Sequence, residues 1–354
     1  MNNHSSLGNK ERAQLLSDET THLVMQILMY GVTPTISTLG VLGNVFSIIV
    51  LLKHGLHKCS NILLFCLAIG DLVYLIAFNS VPKLLYELSG VAFAWDYNEV
   101  TAHTLFVLYS IFHFLDYAIG LSSLAIPMLI TAERLVAVFL PMKFSRIITP
   151  ARTWTAVGII CLFWIIVIFY SSLWSQFKYV FYPKLNISMG IIERSDRYFQ
   201  EQDVGDVLEE MIKYLTLKIP PGLTLVGCVI IAVKIKMASA KRRKMTSNGA
   251  ARETKSNRTS KILLSVCAMY TVTCAIVSLP NYLPQYGYYT MTGDAPNNVG
   301  RIGYQFFNIV GCTNSSCNFI VYVGMNKNFR DTWKSLFTPC GYIQKTANRQ
   351  DRKI

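Results

Sequence analysis

Of the 354 residues, 52% are hydrophobic and only 15% charged, a balance too apolar for an ordinary soluble domain of this length, so a membrane protein is the first inference. The net charge of +13 does not require nucleic acid, because no aromatic or groove-reading module accompanies it, and basic loops beside a membrane bind anionic headgroups and acidic partners. Residues 1–22 are polar and the first apolar run is long enough to span and stay, which predicts an uncleaved anchor instead of a signal peptide.

The expected fold is an all-α bundle of seven transmembrane helices. Its stretches are 25–52, 59–86, 103–140, 152–175, 211–237, 261–287 and 299–325, each long enough for a tilted span. Residues 1–24 form an outer tail, 25–325 the bundle, 326–338 an interfacial helix and 339–354 an inner tail. The third stretch is the organising one. Asp116, Ser123 and Arg134 follow at intervals of seven and eleven, which on a straight helix puts them within about 20° of one line, and that line must face protein. In the fifth stretch Lys213, Lys218, Pro220 and Pro221 interrupt the apolar pattern, which neighbouring helices in a bundle tolerate.

Basic residues set the orientation. Lys53 and Lys58 fall in the first loop, Lys143, Arg146 and Arg152 in the third, Lys241 to Lys244 in the fifth, and Lys327, Arg330 and Lys334 after the seventh stretch. The fourth loop instead carries Glu193, Asp196, Glu201, Asp203, Asp206, Glu209 and Glu210. The N-terminus is therefore expected outside and the C-terminus inside. The sequons at Asn3 and Asn186 fall on the outer side as glycosylation sites, while the one at Asn257 falls inside. Phe329, Trp333, Leu336 and Phe337 recur at helical spacing opposite Arg330, Asp331 and Lys334, the pattern of a short helix lying in the interface, and Cys340 just beyond it is a candidate palmitoylation site. The other eight cysteines lie in or beside apolar stretches, in no spacing that suggests a disulfide framework or a zinc site.

Polar groups recur in mid-stretch: Asn44, Asp71, and then Asn314, Asn318 and Tyr322, spaced four apart on one helix face. Asp71 needs partners or neutralisation, and oxygens of Ser123, Asn314 and Asn318 are candidates to help it hold a sodium ion; the alternative is a structural hydrogen-bond node.

With Gly43-Asn44, Leu67-Ala68-Ile69-Gly70-Asp71, Glu133-Arg134-Leu135, Trp164, Pro280 and Asn314 to Tyr322 in this order, the chain resembles the rhodopsin-like (class A) G-protein-coupled receptors over residues 25–340. Glu133-Arg134 through Pro141-Met142-Lys143 and Ile147 to Pro150 look most like the expanded molluscan set labelled chemosensory receptors; invertebrate neuropeptide receptors are also similar. The resemblance implies a plasma-membrane receptor that binds an extracellular ligand (peptide, amine or small chemical) and activates a heterotrimeric G protein. Arg134 would engage the G protein with Glu133 restraining it at rest. Pro280 would kink the sixth helix, Asn318 and Tyr322 would take part in activation, and Asp71, Ser123, Asn314 and Asn318 match the family's sodium pocket. Asp116 matches the position that binds a ligand cation in amine receptors, although it also suits an interhelical hydrogen bond. Tyr117, Asn281, Tyr282, Gln285, Tyr304 and Asn308 are further candidates for ligand contact or helix packing.

Departures from the pattern bear on these roles. Tyr109 stands near where the family carries an outer cysteine, so the disulfide that pins the second outer loop is not expected and the loop should be freer than usual. Ser278 replaces a tryptophan before Pro280, Phe319 a proline after Asn318 and Leu135 a tyrosine, and Ser260 and Lys261 offer no acid for a cross-helix lock, which predicts raised basal activity. A transporter, the main alternative, would show a repeat or paired broken helices, and neither is visible. Residues 304–325 contain no lysine for retinal, and the buried polar groups supply no nucleophile and base for an enzyme.

Overall fold

The computed structural model describes residues 17–88, 94–183, 186–245, 255–282 and 298–337. Among them the chain forms seven helical rods, one short terminal helix and one hairpin. The first rod starts earlier than expected, with α1 (Asp18–Gln26), because the Ser17 hydroxyl accepts the Thr20 N–H at 3.2 Å and caps it. It then widens into a π-turn (Ile27–Val32) and continues as α2 (Thr33–His54). Pro34, lacking an N–H, accounts for the irregularity, and the Leu28 carbonyl accepts both the Thr33 N–H and, at 2.8 Å, the Thr33 hydroxyl. Gly55, with φ of 78°, ends the rod in a conformation that suits glycine.

The second rod is α3 (Cys59–Phe78) and α4 (Val81–Leu88), broken ahead of Pro82 and sewn by Asn79, whose amide donates to Ser37 Oγ and the Leu75 carbonyl at 2.8 Å each. The third is two helices, α5 (Glu99–Leu124) and α6 (Ile126–Phe139), parted at Ala125 because Pro127 cannot continue the backbone ladder. The straight line expected for Asp116, Ser123 and Arg134 is thus broken between the second and third residue, yet all three remain buried. A one-turn helix α7 (Phe144–Ile147) leads to α8 (Pro150–Ser172), the fourth rod, capped by the Thr149 hydroxyl and opened by proline.

The fourth loop corrects the all-α expectation. It folds as an antiparallel hairpin of β1 (Ser175–Tyr182) and β2 (Ile187–Arg194), in register from Ser175↔Arg194 to Tyr182↔Ile187, followed by α9 (Asp196–Gln200). The fourth stretch therefore ends at Ser172, short of residue 175. The fifth rod begins at Gln202, nine residues before the expected 211, as α10 (Gln202–Lys213), a π-turn (Tyr214–Lys218) and α11 (Ile219–Met245). Its lysines are satisfied locally: Lys213 pairs with Glu209 at 2.8 Å and Glu210 at 3.0 Å, and Lys218 lies 3.7 Å over the Tyr214 ring. The sixth and seventh rods are α12 (Lys255–Tyr282) and α13 (Asn298–Met325), and α14 (Lys327–Phe337) follows.

The rods pack in a ring, first on second, second on third, third on fourth, then fifth on sixth, sixth on seventh and seventh on first. The third also meets the fifth and sixth through α6, so it stands at the centre. An inner core gathers Leu51, Leu67, Ile130, Leu263, Val266 and Tyr322. A second core seats Ala118 against Trp164, Val167 and Ile168. Outward faces are apolar too: on α8, Ile159, Leu162, Ile166 and Phe169 are exposed. A surface of this kind is stable against hydrocarbon, and among the described residues five stretches are long and apolar enough to cross a membrane: Glu19–His54, Cys59–Phe78, Glu99–Phe139, Pro150–Ser172 and Gln202–Met237. Leu263–Leu279 in α12 is apolar but shorter.

Candidate functional site

At the inner end of the third rod, Glu133 and Arg134 are both buried, and Arg134 Nη2 donates to Glu133 Oε1 at 2.8 Å. Among the described residues Glu133 Oε2 and Arg134 Nε have no hydrogen-bond partner, so the pair is only half satisfied there. Nearby, the Thr131 hydroxyl meets Cys267 Sγ at 3.4 Å and that thiol reaches the Pro127 carbonyl at 3.5 Å, tying α12 to the bend of the third rod. Tyr322 is 2% exposed, its ring tilted on Phe329 at 5.5 Å and its hydroxyl without a partner. These contacts describe a packed end of the bundle in which Arg134 is covered.

Midway along the bundle, Asp71 is 2% exposed and its Oδ2 accepts from Asn318 Nδ2 at 2.7 Å. The Ser315 hydroxyl faces the same carboxylate, a contributor that the sequence reading passed over because it lies between the more conspicuous asparagines. Asn44 Nδ2 donates to the Ser315 carbonyl at 2.9 Å. The side-chain oxygens of Asn314 and Asn318 are buried without donors. Ser123 packs against Gly70, where an added Cβ would lie 2.7 Å from the serine Cβ, and its hydroxyl donates within its own helix to the Gly120 carbonyl at 2.8 Å. A buried carboxylate beside the Asn318 amide and the Ser315 hydroxyl is an oxygen-rich setting in which a small hard cation could be held.

Toward the outer end, Asp116 is 8% exposed and accepts no hydrogen bond from any described residue. The adjoining Tyr117 ring stacks on His113 at 4.5 Å. Tyr304 is hydrogen-bonded to Asn308 and lies close enough to Asp116 to act on it electrostatically, so the third and seventh rods bring four of the expected ligand residues to one region. Asn281 and Tyr282 occupy the last turn of α12 and Pro280 lies within that helix; no more of their side chains is described. Gln285, Asn3 and Cys340 lie outside the described residues, as do the side chains of Ser260 and Lys261. Asn186 is exposed at the hairpin turn with φ of 54°, a conformation asparagine tolerates.

The outer hairpin is fastened, contrary to the expectation of a freer loop. Trp95 N–H donates to the Gly190 carbonyl at 2.8 Å and Gly190 N–H to the Trp95 carbonyl at 3.0 Å, while the indole donates to the Pro82 carbonyl at 3.1 Å. Trp95 is fully buried between Tyr86, Phe106 and Tyr109, with Tyr109 edge-on at 5.7 Å. Tyr109, which stands where a cysteine was looked for, thus serves the same anchorage through aromatic packing. Gly190 is required here, since a Cβ would fall 2.7 Å from the Phe177 ring and 2.8 Å from Ala102. The far side of the loop is held by Glu201. Its Oε2 accepts from the Tyr170 hydroxyl at 2.8 Å and the Trp174 indole at 3.0 Å, and its Oε1 from Arg197 Nε at 3.0 Å. These donors, the Trp174 indole first, hold the Glu201 carboxyl below its usual range. Neither fastening carries a motif; both depend on residues brought together from separate loops.

Residues 31–340 match the family of the serpentine type 7TM GPCR chemoreceptor Srw. The chain is also similar to the histamine H2 receptor of Rattus norvegicus, at 24% identity over 336 residues that cover 94% of this chain and 85% of that receptor.

Proposed function

Because the chain belongs to the serpentine seven-transmembrane G-protein-coupled chemoreceptors of the Srw type, we propose that it detects a small cationic chemical at Asp116 and passes the signal to a heterotrimeric G protein through Arg134. The observation that carries this reading is Asp116 itself, a buried carboxylate with no hydrogen bond or close ion pair among the described residues although the Lys83 charge acts on it from a distance, a place that a ligand ammonium would complete. Similarity to a receptor named for an amine points the same way. A peptide ligand, the neuropeptide reading, draws less support. Of the seven acids in the fourth loop and the start of α10, four already pair internally: Glu193 with Lys178, Glu201 with Arg197, and Glu209 and Glu210 with Lys213. They offer correspondingly less charge to a basic peptide.

In this reading all seven rods cross the plasma membrane, with the N-terminus and hairpin outside, Asn3 and Asn186 glycosylated, and the basic loops inside against lipid headgroups and the G protein. The outer tail is shorter than the expected residues 1–24, because α1 already begins at Asp18, while α14 is the interfacial helix and Cys340 in the inner tail the palmitoylation site. Membership of the rhodopsin-like class and nearness to the molluscan chemosensory set rest on the motif order from Asn44 to Tyr322. A sodium ion would be held by Asp71 with Asn314, Asn318 and Ser123, supplying the positive charge that the buried carboxylate lacks. Ligand acts by population shift, binding better to an arrangement in which Arg134 is released from Glu133 than to the packed one.

Expression in cells carrying a promiscuous G protein, challenged with amines and peptides, tests the proposal. An amine should evoke a response whose potency falls at least about tenfold in Asp116→Asn, since removing one partner of a buried ion pair is strongly destabilising. An unchanged dose response would remove Asp116 from the ligand site.

A further inference from the structure

The fifth rod carries a charge inside its apolar stretch. Lys218 closes the π-turn (Tyr214–Lys218) within Gln202–Met237, one of the stretches long and apolar enough to cross a membrane. Its ammonium lies 3.7 Å over the Tyr214 ring, which shelters the charge without bringing a negative one to balance it. No ion pair joins Lys218 to an acid among the described residues. Glu210 senses its charge, but it lies about two turns nearer the hairpin and is already held 3.0 Å from Lys213 Nζ.

Depth sharpens the point. Lys234, whose ammonium lies 5.0 Å over the ring of Phe139 at the end of α6, follows sixteen residues after Lys218, so the two lysines are roughly 24 Å apart along the rod. A hydrocarbon core is ~30 Å thick, so with Lys234 at one edge Lys218 stops roughly 6 Å short of the other. A cation at that depth calls for a partner of opposite charge.

From Lys218 toward the middle of the membrane runs an open apolar track. Gly222, one turn on, is exposed, and a Cβ added to it would meet nothing within 4 Å. Leu225, Val229 and Val233 follow, all exposed, and at ~100° per residue these three and Gly222 lie within about 60° of Lys218. Thr216, Pro220, Thr224 and Gly227 on the opposite face are buried, so the track is turned to lipid and not to the bundle. From Lys218 to Val233 it is roughly 22 Å long.

We propose that this track binds a long-chain fatty acid from the surrounding membrane, its carboxylate on the Lys218 ammonium and its chain over Gly222 and along Leu225, Val229 and Val233. Charge, depth and width each favour this occupant. One carboxylate supplies the one negative charge that Lys218 lacks. A single-chain acid can sink to the level of Lys218, whereas a phospholipid keeps its phosphate in the headgroup layer. The gap at Gly222 is the width of one missing side chain, room for one chain and not for two. The proposal requires that the fifth rod cross the membrane but uses neither Asp116 nor the G protein, so it stands or falls apart from the receptor mechanism above.

The test uses the purified full-length protein in phosphatidylcholine nanodiscs and, as probe, palmitic acid carrying a photoreactive diazirine and an alkyne, with the labelled residues located by mass spectrometry. Labelling should saturate, fall on residues 214–233, and be displaced by unmodified palmitate at least about tenfold more readily than by its methyl ester, which keeps the chain but lacks the charge. Lys218→Met should erase this preference for acid over ester and Lys218→Arg should retain it, while Gly222→Leu should lower labelling by filling the track. If Lys218→Met fails to fold, the comparison of acid with ester on the unmodified protein decides. Labelling that rises without saturation, as simple partitioning gives, or equal displacement by acid and ester, would overturn the proposal. Displacement by phosphatidylglycerol in preference to palmitate would overturn it too, by giving the site to a phospholipid.

Discussion

Glu201 and Asp71 illustrate how differently two carboxylates are used in one chain. Glu201 is partly exposed and satisfied by three donors from two segments, so its charge fastens the outer loop. Because its folded-state pKa lies below the ordinary 4.5, the ionised form supports the fold above that value, and the support disappears only as pH falls through the depressed native value. Hydrogen exchange of the hairpin amides should therefore show no Glu201-dependent change between neutral and mildly acidic pH, with faster exchange only in strong acid. Glu201→Gln should speed exchange in α9 and β2 already at neutral pH, and identical protection in the variant would dismiss the fastening. Asp71, by contrast, is buried, and the Asn318 amide that donates to it keeps its own oxygen without a donor among the described residues. If these oxygens hold sodium, agonist affinity should depend on sodium over potassium in the unmodified receptor and lose that dependence in Asp71→Asn, as measured by radioligand competition.

The hairpin and the bends decide what the helices present. A two-stranded hairpin alone is marginal in water, so its seat on Trp95 and Ala102 matters more than its own ladder. Trp95→Ala removes a fully buried indole and should cost about 3–5 kcal/mol of local stability, and Gly190→Ala should displace the hairpin because its Cβ has no room. Protease nicking between β1 and β2 should rise in both; no increase in either would mean that the loop is held elsewhere. Much of this was legible from sequence in outline. The rods were visible as apolar runs, and the interruption expected in the fifth adjoins its π-turn at Tyr214–Lys218, whereas the breaks beside Pro34, Pro82 and Pro127 were not expected. The hairpin left a signal too, since Phe177, Tyr179 and Phe181 and then Ile187, Met189 and Ile191 recur at every second position, but its placement depends on Trp95, eighty residues and more upstream. The expected freedom of that loop was inferred from a missing cysteine, but aromatic packing at Tyr109 supplies an equivalent anchor.

For the molecule as a whole, the third rod couples the two ends. It carries Asp116 outward of the bend at Ala125 and Arg134 inward of it, and it touches the second, fourth, fifth and sixth rods. In the proposed mechanism, releasing Arg134 would separate the Glu133–Arg134 pair and the contact of Thr131 with Cys267, both of which involve residues that follow that bend. Arg134→Ala should leave ligand binding measurable while nucleotide exchange on the G protein drops to the level of membranes without receptor; persistent exchange would place coupling elsewhere. The amino-acid order by itself determined that several apolar helices would bury a sparse set of polar side chains, because hydrocarbon expels charge wherever it falls. It also marked Asp71, Asp116, Glu133, Arg134 and Asn318 as the groups to follow. Only the tertiary structure decided which of them are partnered, and that Trp95 and Glu201 hold the loop after the fourth rod. Those outcomes depend on distances between segments far apart in the chain, and hydropathy along the chain carries no record of them.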